Sequence, residues 1–182
     1  FYGNIYVAGS YSDSVNFGGI VLRPDPPSTG GSFFVKYNPE GYVEWARKIN
    51  GSLWSSRIAC DGFGGIYMSG EERSNIDFGN GIKLFSKSWS NPYLAKYQTD
   101  GNIEWAINYG DSAFSSNVVV DDQSNVYVAG SFFGSVKLGN FTLFSKGMSD
   151  IFIVKFNSNG NAEWAISKGG KKDDGTPSIC ID

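Results

Sequence analysis

Glu44, Glu104 and Glu163 each stand directly before a tryptophan, and Asp121-Asp122 and Asp173-Asp174 form two acidic pairs. These carboxylates are the only plausible acid/base groups, because the 182 residues contain no histidine. That absence removes Ser/His/Asp and Cys/His nucleophilic chemistry and most zinc sites. A carboxylate hydrolase would need two acids about 5–10 Å apart in different surroundings. The three glutamates instead sit at one phase of a repeat, which points to a structural role in every copy, so no catalytic residue is assigned and the chain is read as a non-enzyme. The stretches Asp121-Asp122-Gln123-Ser124-Asn125 and Asp173-Asp174-Gly175 offer oxygen ligands, but the glycine and terminal glutamate of an EF-hand loop are not in place. They read as turn formers, and neither metal nor cofactor is expected. Cys60 and Cys180 form no disulfide framework or metal motif and are expected as buried small hydrophobes.

The elements that carry these residues recur. Gly-Asn-Ile-Tyr-Val-Ala-Gly-Ser (Gly3 to Ser10) returns as Gly64 to Glu71 and as Ser124 to Ser131, placing Gly9, Gly70 and Gly130 about sixty residues apart. A second phrase, Gly-x-x-Glu-Trp-Ala, begins at Gly41, Gly101 and Gly160 and places Trp45, Trp105 and Trp164 in the same phase. Between the two lie Phe33 to Tyr37, Tyr93 to Tyr97 and Phe152 to Phe156, whose alternation has the period of a strand.

Each unit reads as four strands, in the second copy Ser56 to Cys60, Ile66 to Gly70, Tyr93 to Tyr97 and Ile103 to Tyr109. The first and last pairs are joined by Asp61-Gly62-Phe63-Gly64 and Thr99-Asp100-Gly101, where glycine supplies positive φ and aspartate bonds its own backbone. The longer middle link carries a small hairpin, Val15 to Leu22, Ile76 to Leu84 and Val136 to Leu143 in the three copies, and in the first copy a Pro-rich insertion, Pro24 to Gly31, reads as a solvated loop. The fold class expected is therefore all-β, with three four-stranded antiparallel units as the blades of a β-propeller. A β-helix fits less well, since its coils are usually shorter and lack internal hairpins. The units span residues 1–61, with the opening strand of the second unit at the end, then 62–121 and 122–182.

Composition agrees: 16% aromatic residues, 24 glycines and only 18% charged residues favour strands and tight turns. A net charge of -3 argues against nucleic acid or an anionic membrane surface as partner. No stretch approaches the roughly 20 apolar residues that span a bilayer. Protein or glycan remain as partners.

Trp45, Trp105, Trp164, Gly9, Gly70 and Gly130 are expected as structural repeat positions, the tryptophans in the core. Binding residues are sought among aromatics that depart from the repeat, in or beside loops: Trp54, Trp89, Phe114, Tyr11, Phe132 and its neighbour Phe133. A protein-interaction or structural module is the first reading. A lectin stacking sugars on these rings is the second, and a carboxylate hydrolase a distant third.

On these phrases the chain resembles the bacterial SBBP-type β-propeller repeat family, in which Gly-Asn-Val-Tyr-Val-x-Gly-Ser, Asp-x-Phe-x-x-Lys-Tyr and Gly-Asn-x-x-Trp-Ala recur in that order. The third copy matches best, through Asn125 to Ser131, Asp150 to Phe156 and Gly160 to Ala165. The second has Asn91-Pro92 at the start of its central phrase, where the third has Asp150-Ile151. The resemblance implies an extracellular or cell-surface location more than an activity. Three blades are too few for a ring. Thr176 to Asp182 reads as an opening strand with no unit after it, and the first unit lacks one. If Phe1 followed Asp182, the repeat would continue in phase. The expectation is either a longer chain or a homodimer whose copies complete a six-bladed ring.

Overall fold

The computed structural model describes residues 3–26, 30–87, 90–111, 113–175 and 177–182. Alternating apolar residues and glycine turns build strands throughout, and no helix forms among the described residues. The first unit contains β1 (Ile5–Tyr11), β2 (Val15–Phe17), β3 (Ile20–Leu22), β4 (Gly31–Tyr37) and β5 (Val43–Ile49). The second contains β6 (Leu53–Cys60), β7 (Ile66–Glu72), β8 (Ile76–Gly79), β9 (Ile82–Leu84), β10 (Asn91–Tyr97) and β11 (Ile103–Asn108). The third contains β12 (Ala113–Val120), β13 (Val126–Leu138), β14 (Phe141–Phe156) and β15 (Ala162–Lys168).

All pairings are antiparallel. The sheets run β1-β4-β5, β6-β7-β10-β11 and β12-β13-β14-β15, with β2-β3 and β8-β9 as separate hairpins. In the third unit that hairpin is continuous with the main strands: β13 and β14 pair from Val126↔Phe156 as far as Leu138↔Phe141, through one irregularity at Phe133 to Ser135. In the first unit β1 is the edge of its sheet, at the position where β7 is covered by β6 and β13 by β12.

The sheets stack face to face. One buried cluster, with Phe34, Trp45, Met68 and Tyr97, lies between the first and second sheets. Another, with Tyr67, Leu94, Val118 and Phe152, lies between the second and third. Each sheet thus uses alternate residues of a strand for its two neighbours: Ile66 and Met68 face the first sheet, and Tyr67 between them faces the third.

Residues 177–182, expected as a strand, form none; Thr176 lies outside the described residues. With no neighbour to complete a hydrogen-bond ladder there is nothing to define a strand. The segment passes β12, where the Asn117 amide donates to Ser178 Oγ at 3.4 Å. Of the Pro-rich insertion, residues 27–29 lie outside the described part. Asp25 in its exposed arm pairs with Lys48 at 2.6 Å. Cys60 and Cys180 are unbridged and, contrary to expectation, exposed, because each lies on a segment only partly covered by its neighbours.

Candidate functional site

A meander of four strands puts its first and third turns at one end of the sheet and its long middle link at the other. The turn end carries machinery common to the units. Asp61 Oδ1 accepts the backbone N–H groups of Phe63 and Gly65 at 2.9 and 2.7 Å. Its Oδ2 accepts the Ser124 hydroxyl of the next unit at 2.8 Å. Asp121 repeats the pattern with Gln123 and Asn125 N–H at 3.0 and 2.7 Å and with the Tyr127 hydroxyl at 3.0 Å. Burial acts to raise the Asp121 carboxyl, but the bonds from Asn125, Tyr127 and Gln123 outweigh it and hold the group below the ordinary carboxylate range. At the opposite end of the third sheet Asp173 instead joins two distant segments, accepting the Ser149 hydroxyl at 2.9 Å. Asp61 and Asp121 close turns, and among the described residues no three acidic or cysteine groups gather to hold a metal ion.

The recurring glutamates have a geometric cause. Lys36 pairs with Trp45 and Tyr37 with Val43, so Glu44 is the extra residue of a bulge. Glu104 and Glu163 occupy the same place. Each bulge aims its carboxylate at the lysine of the neighbouring strand: Lys36–Glu44 2.6 Å, Lys96–Glu104 3.1 Å and Lys155–Glu163 2.8 Å. Those ammonium groups stand 5.8–5.9 Å from the centroids of Tyr6, Tyr67 and Tyr127. A cavity of about 520 Å³ at this end, bordered by Asp61, Lys96, Thr99, Glu104 and Ser124, is therefore lined largely by groups already engaged in holding the sheets.

The recurring glycines answer to close approach. A Cβ on Gly9 would stand 2.8 Å from the Phe33 ring, one on Gly130 2.6 Å from the Phe152 ring, and one on Gly70 2.6 Å from the Trp54 carbonyl oxygen and 3.1 Å from the Tyr93 ring. The aromatic of the third strand lies across the glycine opposite it.

The connection end differs from unit to unit. Trp54 is 49% exposed, and the Arg73 guanidinium lies over its ring at 4.4 Å. Arg73 also reaches Glu71 Oε2 at 3.7 Å, which accepts the Ser90 hydroxyl at 3.0 Å. Burial pushes the Glu71 carboxyl up, while Ser90 and Arg73 pull it down less strongly. Beside it Glu72 is fully buried. Its Oε1 accepts the Asn108 amide at 3.3 Å, whereas Oε2 has no partner among the described residues. Burial raises this carboxyl as well.

The aromatics singled out from sequence divide on inspection. Phe114 is half-buried in β12 and meets the exposed Phe133 edge to face at 6.1 Å. Tyr11 ends β1 against Gly31, and its hydroxyl has no partner among the described residues. Phe132, expected at a loop, is buried in β13 with Phe152. Trp89 lies outside the described residues. Nor do the rest depart from the repeat. Trp54 and Phe114 both pair with the residue after the recurring glycine, Glu71 and Ser131. Tyr11, Glu72 and Phe132 share the next register. What breaks the pattern is Glu71-Glu72 in place of Ser10-Tyr11 and Ser131-Phe132. Counting from the glycines would have found it.

Of the recurring tryptophans, Trp45 is 9% exposed and Trp105 half-buried, but Trp164 is 37% exposed. The turn glycine of the following unit, Gly101 or Gly160, covers the first two. Among the described residues no turn of a following unit covers Trp164.

No family model matches the chain, so the SBBP-type identification remains a resemblance. The chain is similar to an uncharacterized WD repeat-containing protein, L264, of Acanthamoeba polyphaga mimivirus, with 28% identity over 180 residues. The match takes in 79% of this chain but only 13% of that protein, so the chain spans about an eighth of its length.

Proposed function

We propose that the chain is an arc of a β-propeller that serves as a non-catalytic protein-interaction module and presents its connection end to partners. The observation that carries this reading is the contrast between the ends of one stack. Three units share their glycines, tryptophans, Lys–Glu pairs and face-to-face packing. The connection end of the second unit instead carries an exposed indole, fixed by a guanidinium that is anchored on a buried carboxylate. Trp and Arg held in place lose little freedom on binding and dominate the energy of many interfaces. Similarity to a WD repeat-containing protein supports the propeller. The family resemblance supports an extracellular or surface-exposed setting.

The test is crosslinking of the protein to its partners in its source cells, beside the Trp54→Ala and Arg73→Ala variants. A protein captured by the parent chain and lost with either variant is the expected result. The exposed rings of Trp54 and Phe133 favour one second reading, stacking of a sugar. A glycan-array signal abolished by Trp54→Ala, with no protein captured, would replace the interaction module by a lectin.

A further inference from the structure

We infer that the second unit binds a monovalent cation, sodium or potassium, between Glu72, Asn108 and the backbone carbonyl of Phe85. The inference does not depend on what the connection end recognises.

Two buried oxygens mark the place. Glu72 is 0% exposed, and its Oε2 has no hydrogen-bond partner among the described residues. The same holds for Oδ1 of Asn108, whose amide nitrogen reaches the other oxygen of that carboxylate. Two acceptors left without donors beside each other are costly away from water, and one cation answers both. Strand register brings them together: Glu72 pairs with Asn91 and Asn108 with Tyr93, two residues along β10 on the same face.

The distances suit an ion. Asn108 Nδ2 stands 3.3 Å from Glu72 Oε1 and 3.3 Å from the Phe85 carbonyl oxygen, both long for N–H···O bonds. A half-turn about the last side-chain bond exchanges the amide nitrogen and oxygen, which puts Oδ1 at those separations instead. Oxygens about 3.3–3.7 Å apart are neighbours at right angles around an ion that holds each at about 2.3–2.6 Å. Calcium has that range and sodium nearly the same radius, so charge decides between them. One carboxylate neutralises one positive charge, whereas a divalent ion would leave a surplus charge buried. Glu71 is already engaged by Arg73 and Ser90.

The surroundings agree. A cavity of about 300 Å³ bordered by Asn91 and Asn108 gives an ion its way in. Lys87 borders it too, yet forms no ion pair with Glu72. Asn91 donates to Ser86 Oγ at 3.0 Å, which holds the segment carrying the Phe85 carbonyl in place. The arrangement belongs to the second unit: the two register positions hold Tyr11 and Lys48 in the first and Phe132 and Ser167 in the third. An ion there fixes the middle link to β7 and β11, one residue from the Glu71 that anchors Arg73.

The experiment melts the chain in choline chloride at about pH 8, well above the ordinary carboxylate range. Sodium, potassium or calcium chloride then replaces the choline at equal ionic strength. Sodium or potassium is expected to raise the melting temperature by about 2–4 °C and to saturate. Glu72→Gln is expected to melt above the parent in choline, where the parent carries a bare charge, and to lose the rise. Asn108→Asp supplies a second carboxylate and is expected to move the response to calcium. A parent that melts alike in choline and in all three salts overturns the inference, and water then fills the place. A rise that Glu72→Gln retains overturns it as well, since the ions then act elsewhere. So does a parent that answers calcium more strongly than either monovalent ion.

Discussion

The indole N–H of Trp45 donates to the Thr99 carbonyl of the next unit at 3.0 Å, and Gly101 of the same turn lies against its ring. One side chain thereby ties the last strand of one sheet to a turn of its neighbour. The glycine in that turn has positive φ, +83°, and a Cβ there would stand 3.1 Å from the ring. Gly160 lies against the Trp105 ring in the same way, whereas the Trp105 indole N–H has no partner among the described residues.

Trp45→Ala is therefore expected to cost about 3–5 kcal/mol, the range for deleting a large buried ring. Trp164→Ala is expected to cost less, about 1–2 kcal/mol, since its ring is 37% exposed and meets Tyr127 but no turn of a following unit among the described residues. Urea unfolding followed by circular dichroism checks both.

Glu72→Gln is expected to stabilise the protein at pH 7 in buffer free of sodium and potassium. A carboxyl whose folded pKa is raised contributes most below the ordinary unfolded value and loses that contribution as pH rises through the raised one. Ionising Glu72 places a charge in a buried site with one hydrogen bond, from Asn108; glutamine keeps an acceptor for that bond and has no charge to bury. The gain should vanish near about pH 4, where glutamate is itself protonated. Melting curves of both proteins across that range read the difference.

Gly70→Ala is expected to destabilise by about 1–3 kcal/mol, because the added methyl meets the Trp54 carbonyl oxygen and the Tyr93 ring. Gly134→Ala has open space around it but a φ of +63°, so its cost is conformational, about 1–2 kcal/mol. Equilibrium unfolding compares them. Only the first should also perturb the near-ultraviolet dichroism of packed aromatics.

Asp61→Ala removes the acceptor for two backbone N–H groups and for the Ser124 hydroxyl of the next unit, at an expected cost of about 2–3 kcal/mol. Glu104→Gln touches an exposed ion pair and is expected to change stability by about 1 kcal/mol or less. Hydrogen exchange at Phe63 and Gly65 should quicken in the first variant and not in the second.

The strands within each unit and their turns were legible, though not the absence of a strand over residues 177–182, because alternation and glycine placement are local signals, and the phase of the tryptophans carried them across the chain. The bulge at Glu44, Glu104 and Glu163 was not, since a bulge shows only in how two strands count against each other. Phe132 was taken for a loop residue because the hairpin of the third unit was expected as a separate element, whereas β13 runs on through it to Leu138. The burial of Glu71 and Glu72 escaped notice because acidic residues are rarely fully buried; their register against Tyr11 and Phe132 was the available clue. Trp164 shares its sequence context with Trp45 and differs in that, among the described residues, no turn glycine lies against its ring as Gly101 does against Trp45.

The interlock of Trp45 with Gly101 and of Trp105 with Gly160 has a bearing on ancestry. Every unit presents a socket on one side and the plug for that socket on the other, so duplicating a gene segment of this length would add a sheet whose contacts already exist. Growth and shrinkage by whole units would then demand no new interface, and selection could act on the Glu71-Glu72 end of a single unit without disturbing the joints.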